Sequence, residues 1–160
     1  MNEYLKLFKS FTYAFSGIWH VLKSERNFRI HTTCLIYMFS ILGFTDWFTL
    51  SRTDWAVLLL ASAIVLSLEI VNTAVENAVN LYGEERTEFG RISKDAAAGA
   101  VLLGAIFAVL TGIAILFQVD AFISMYEYFT ENIPMLILFI LSIIPASIFI
   151  FWGNPFRKGK

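Results

Sequence analysis

The stretch L-S-L-E-I-V-N-T-A-V-E-N-A-V-N-L, residues 66–81, sets glutamates and asparagines into the end of a long apolar run. Glu69, Asn72, Thr73 and Glu76 fall at i, i+3, i+4 and i+7, and Asn80 continues the row. On a helix these side chains share one face. Ile70, Val71, Ala74, Val75 and Val79 form the other. A charge at bilayer depth costs about 2.5–3.5 kcal/mol on insertion scales, so an ionisable pair in such a helix points to a functional site. A polar stripe at this spacing can also hold transmembrane helices together through hydrogen bonds.

The surrounding composition supports the membrane reading. The 160 residues are 58% hydrophobic and 16% charged, where soluble domains carry about 25% charge. Mean hydropathy is +0.67. The net charge of −1 gives no reason to invoke nucleic acid. Cys34 is the single cysteine, so no intrachain disulfide forms. Met1 to Lys9 is polar and mixed, and no cleavable signal peptide is expected there.

Working outward, residues 4–23 read as an amphipathic helix lying in the membrane interface. Tyr4, Phe8, Phe11, Phe15, Ile18 and Leu22 recur every three or four residues, with Lys6, Lys9, His20 and Lys23 on other faces. A charged junction, S-E-R-N-F-R-I-H at 24–31, leads into a first span at about 30–50. A second span runs over about 55–81 and ends in the polar stripe. Residues 83–95 form a polar loop, and a third span covers 96–119. Its start (Ala96, Ala97, Ala98, Gly99, Ala100, Gly104) is small enough for close helix approach. A fourth apolar segment at about 133–152 is long enough to cross. Pro134 suits a first helical turn and Pro145 predicts a kink.

The expected fold is all-α and integral to the membrane: an N-terminal amphipathic surface helix, three core transmembrane helices and an additional C-terminal fourth. Residues 1–119 form one domain, with 120–160 as an extension. Four spans with both termini inside place eleven of the twelve Lys and Arg residues in the cytoplasm.

Under that topology the cytoplasmic side gathers Glu25, the Glu69–Glu76 face and a loop rich in both signs of charge. Carboxylates beside Lys and Arg suit a magnesium nucleotide, because Mg²⁺ is held by one or two carboxylates plus substrate phosphates and waters. Basic side chains then neutralise the transferring phosphoryl group. A carboxylate left without metal can take a proton from an attacking hydroxyl. The same loop charges can equally pair with one another in solvent. There is no G-x-x-x-x-G-K-[ST] and no kinase Gly-rich loop. His20 and His31 stand alone and read as surface or packing residues.

Three motifs carry a resemblance. E-I-V-N-T-A-V-E (69–76), S-K-D-A-A-A-G-A-V (93–101) and E-R-N-F-R-I-H (25–31) occur in the order and spacing of the small bacterial diacylglycerol kinase family. The resemblance covers about residues 5–118. The E-R-N-F-R-I-H form is similar to the Gram-positive branch, whose members act mainly as undecaprenol kinases. It implies ATP- and Mg²⁺-dependent phosphorylation of a lipid alcohol, undecaprenol first and diacylglycerol as the alternative. It further implies a homotrimer in the bacterial cytoplasmic membrane, with sites built between subunits. Glu69 would be the general base and Asn72 would orient the site. Glu25 and Glu76 would hold Mg²⁺ with the ATP phosphates. Lys6, Tyr13, Gly17, Glu85, Arg86, Thr87, Lys94 and Asp95 would complete the ATP pocket. Lys6 stands where an arginine is common, and Ala14 where a serine can occur. The fourth span lies outside the family's three-helix pattern. A rival of another class, a small transporter or assembly subunit using the acidic face as an ion path, predicts no phosphoryl transfer.

Overall fold

The computed structural model describes residues 3–81 and 87–151, and every regular element among them is helical. The order is α1 (Glu3–Ser24), α2 (Arg26–Phe44), α3 (Arg52–Leu81), α4 (Glu88–Leu116), α5 (Val119–Glu131) and α6 (Ile133–Phe151). The chain is an all-α integral membrane protein. Helices α3, α4 and α6 are each long and apolar enough to cross a bilayer. Helix α2 has 19 residues and carries Arg26, Arg29 and His31 in its first turns.

Local sequence accounts for the starts of α3 and α4. Ser51 and Asp54 cap α3 reciprocally: the Asp54 amide donates to Ser51 Oγ at 3.2 Å, and the Ser51 amide to Asp54 Oδ2 at 2.8 Å. Thr87 caps α4, its Oγ1 accepting from the Gly90 amide at 3.1 Å. That cap starts α4 at Glu88, so residues 88–95, expected in a loop, are helical. The first core helix likewise runs over 26–44 rather than 30–50. Between the third and fourth spans, where no element was expected, α5 forms a short amphipathic helix.

Helix α4 packs along α3, while α2 lies against α3, α1 and α6. The α3–α4 crossing is close because Gly104 has no side chain: a Cβ there would lie 2.6 Å from Leu68 Cδ1. At the α4–α5 joint the Gln118 amide group accepts from the Thr49 amide and donates to the Thr49 carbonyl, at 3.0 and 3.1 Å. Helix α6 seats on α2 through a hydrogen bond between Tyr37 Oη and Ser142 Oγ, 2.7 Å, and a T-shaped contact of Tyr37 with Phe139. Trp47, Tyr128 and Phe129 form an aromatic cluster at the α5 end of the bundle.

Few side chains are fully buried, and the outer faces of α6 and of α4 beyond its charged first two turns are almost wholly apolar. A bilayer solvates such faces, so helix association rests on close packing and hydrogen bonds rather than on a dry core. On α1 the aromatic residues Tyr4, Phe8, Phe11 and Phe15 are exposed and only Val21 is buried. That is the pattern of a helix whose apolar face meets something other than its own chain.

Candidate active site on the polar face of α3

The polar stripe of residues 69–80 lies on one continuous helix, α3. Glu69 is 2% exposed, on the side of α3 that faces α2. Its Oε1 lies 3.5 Å from His31 Nε2 and has no hydrogen-bond partner among the described residues. Its backbone carbonyl accepts from Thr73 Oγ1 at 3.0 Å, so the threonine of the stripe serves the helix itself. A buried carboxylate oxygen left unpaired costs free energy, and native proteins keep such groups mainly where a ligand or a reaction supplies the partner.

One turn on, Asn72 Nδ2 donates to Glu76 Oε1 at 3.2 Å, which fixes the amide and the half-buried carboxylate relative to each other. Asn72 Oδ1 is the second buried polar atom without a partner among the described residues. Unpaired oxygens of Glu69 and Asn72 therefore sit one helical turn apart. At the end of α3, Lys94 Nζ on α4 donates to Asn80 Oδ1 at 2.6 Å. That contact brings the start of the 93–101 motif to the end of the polar stripe of α3. Asp95 pairs with Arg91 across one exposed turn of α4, Nη1 to Oδ2 at 3.1 Å.

Glu25 occupies the single-residue break between α1 and α2 in extended conformation, with no side-chain cap bond. Lys6 and Tyr13 lie on the exposed part of α1 with no hydrogen bond or ion pair to a described residue, and Gly17 faces open space. Thr87 caps α4 as described above. Glu85 and Arg86 lie outside the described residues. The structure thus brings together Glu69, Asn72 and Glu76, and joins Lys94 to the end of that stripe.

His31 is the residue whose place the sequence does not disclose. It stands three positions after the buried Phe28 on α2, and its own motif carries the resemblance, but nothing local says that it meets Glu69. It also lines one end of a cleft of about 270 Å³ between α2, α3 and α4, continued by Met38, Leu58, Val65, Ala108 and Val109. The arrangement couples a hidden carboxylate to an apolar slot on one side and to a polar helix end on the other. It can accept a proton from a hydroxyl whose attached chain is apolar.

Among the described residues no group of three or more His, Cys, Asp and Glu side chains is placed to hold a metal. The carboxylates of Glu76 and Glu25, the two residues expected at the metal, are hard oxygen donors of the kind that suit a magnesium ion taking its remaining ligands from phosphate and water.

The profile of the prokaryotic diacylglycerol kinase family matches residues 12–116. Undecaprenol kinase of Bacillus subtilis (strain 168) is 37% identical over 114 residues, 71% of this chain and 90% of that protein. A diacylglycerol kinase of Synechocystis is 42% identical over 107 residues, 66% of this chain and 59% of that protein. A diacylglycerol kinase of Helicobacter pylori (strain J99) is 28% identical over 102 residues, 64% of this chain and 77% of that protein.

Proposed function

This chain belongs to the prokaryotic diacylglycerol kinase family, and on that premise we propose that it transfers the γ-phosphoryl group of ATP to undecaprenol, giving undecaprenyl phosphate and ADP. It is a membrane lipid kinase. The observation that carries the site is the buried Glu69 carboxylate, without a hydrogen bond at Oε1 among the described residues and 3.5 Å from His31, which lines an apolar cleft.

Glu69 takes the proton of the lipid hydroxyl as its oxygen attacks the γ-phosphorus and the bond to the β-phosphate oxygen breaks. His31 holds the carboxylate from the α2 side. The cleft between α2, α3 and α4 receives the part of the apolar chain nearest the hydroxyl. Asn72 orients Glu76 through the bond at 3.2 Å. Glu76 and Glu25 would hold Mg²⁺, which when bound would neutralise charge on the nucleotide phosphates. Lys94 is tied to the end of α3 and presents its ammonium to phosphate, with Asp95 beside it. Lys6, Tyr13, Gly17, Glu85, Arg86 and Thr87 complete the nucleotide pocket. Glu69 and Glu76 stand seven residues apart, about 10 Å along the helix, which separates a lipid-side base from a nucleotide-side carboxylate.

The choice of undecaprenol is supported by the E-R-N-F-R-I-H junction and by the similarity to the Bacillus protein over most of that protein's length. Diacylglycerol is the competing acceptor, supported by the Synechocystis relative. The assembly is a homotrimer with sites between subunits. The exposed apolar faces of α1 and α4 are among the surfaces available to meet neighbours. The kinase unit is residues 1–119, and both termini face the cytoplasm, as the distribution of Lys and Arg favours.

The test is phosphate transfer from labelled ATP in lipid–detergent micelles with undecaprenol and diacylglycerol in equal amounts. Preference for undecaprenol, lost in Glu69→Gln, supports acceptor and base together. Preference for diacylglycerol keeps the base and overturns the acceptor. Transfer to neither overturns both.

A further inference from the structure

Arg29 is 5% exposed, and among the described residues it has no carboxylate partner. Its guanidinium instead donates to three backbone carbonyls. Nη1 reaches Leu22 O at 3.2 Å and Lys23 O at 2.8 Å, both in the last turn of α1. Nε reaches Ile150 O at 3.1 Å, in the last turn of α6. The last four carbonyls of a helix have no partner within it, and that end carries partial negative charge. One buried cation on α2 therefore satisfies the C-terminal ends of two other helices at once. The planar fork of arginine suits this, since its donors point in several fixed directions.

The linkage has a direction. Residues 22 and 23 lie in the last turn before Glu25, separated from it only by Ser24, and Arg29 stands one helical turn beyond it, its amide bonded to the Glu25 carbonyl at 3.3 Å. Helix α6 lies beyond residue 116, where the family match ends. It is seated on α2 by the Tyr37–Ser142 bond at 2.7 Å, and its end is held by Arg29 Nε. Without α6, Nε would lose the one acceptor it has among the described residues, which is costly for a charged group.

We propose that Arg29 is a positioning residue through which the fourth hydrophobic helix, α6, braces the α1–α2 junction and so holds Glu25 and the surface helix in place for the nucleotide. The extension is then part of the kinase's working structure rather than an appendage to it. The kinetic side rests on the reading of Glu25 as a nucleotide-side carboxylate given above; the structural side does not.

The test uses the full chain in lipid nanodiscs. Arg29→Gln is compared with Arg29→Lys, with the double variant Tyr37→Phe/Ser142→Ala that loosens α6 without touching Arg29, and with Glu25→Gln. Two quantities are read: amide exchange over residues 20–25, and KM for Mg-ATP against kcat. Arg29→Gln is expected to speed exchange at the junction about tenfold, the loss of a charged hydrogen bond. It should raise KM for Mg-ATP by a similar factor with kcat at saturation within about threefold. Arg29→Lys should recover part of both effects, and the double variant should speed exchange at the same junction several-fold. Unchanged exchange at residues 20–25 in Arg29→Gln overturns the brace. Faster exchange in Arg29→Gln but not in the double variant removes α6 from it. A loosened junction with unchanged KM overturns the positioning role, provided that Glu25→Gln itself raises KM. If Glu25→Gln leaves KM and the magnesium response unchanged, the reading of Glu25 fails and the brace is decided by exchange alone. Should Arg29→Gln not fold, Arg29→Lys and the double variant decide the outcome.

Discussion

His31 on α2 presents Nε2 to Oε1 of Glu69 on α3 across 3.5 Å, and both side chains are largely withdrawn from solvent. The imidazole stands beside the carboxylate without a hydrogen bond to it and also lines the apolar cleft, so it limits where the base can point. Replacing His31 with alanine should lower kcat about tenfold, as for removal of a group that orients a base, with KM for Mg-ATP unchanged. His31→Gln, which keeps a donor, should recover part of the loss. Steady-state kinetics on both variants checks this. A rise in KM for Mg-ATP with kcat intact would place His31 on the nucleotide side instead.

Glu69→Gln keeps the size of the side chain and removes its basicity. Turnover should fall by about 10²–10⁴, the usual contribution of a positioned base. Mg-ATP binding, followed by nucleotide protection or calorimetry, should change by less than about threefold, since the residue makes no bond to the nucleotide in this reading. Near-normal turnover would remove the assigned base.

Glu76→Gln and Glu25→Gln should each raise the magnesium concentration needed for half-maximal activity, by about tenfold or more for loss of a metal ligand. Asn72→Ala should act in the same direction but less strongly, because it frees Glu76 Oε1 rather than removing it. Magnesium titrations at fixed ATP separate these variants from Glu69→Gln, whose magnesium response should stay normal.

Gly104 and Gly99 both belong to the small-residue start of α4, but only the first is used within the chain. A Cβ at Gly104 meets Leu68 Cδ1 at 2.6 Å, whereas one at Gly99 has no heavy atom within 4 Å. Gly104→Ala should destabilise by about 1–3 kcal/mol, as overpacking does, and Gly104→Leu by more. Gly99→Ala should leave the thermal midpoint unchanged or raise it slightly, since alanine is the better helix former by about 0.5–1 kcal/mol. A fall in the midpoint or in oligomer size for Gly99→Ala would mark that face as a contact between subunits.

Much of this molecule was legible in the order of its residues because the signals are local. Apolar runs longer than a bilayer's thickness announce membrane helices wherever they fold. The i, i+3, i+4, i+7 spacing from Glu69 to Glu76 is a property of any helix, and the three motifs carry their resemblance without coordinates. The charged run after Gly83 read as a loop because its residues are polar. Yet Thr87, three before Gly90, is a capping signal that starts α4 at Glu88. Helix α5 was missed because its 13 residues mix aromatics with Asp120, Glu127 and Glu131. That is too polar for a span and too short for its periodicity to stand out.

What the sequence by itself determined, then, is a helical membrane protein with a carboxylate stripe at the end of one helix and the motifs of a lipid kinase. The tertiary structure alone decided which distant residues meet. His31 reaches Glu69 because α2 crosses α3 at that level, and Arg29 reaches Ile150, 121 residues away, because α6 turns back onto α2. A lone histidine, or an arginine at the head of a helix, carries no mark of its partner. The partner is fixed by how helix faces pack, and that depends on small residues and buried hydrogen bonds spread along the whole chain.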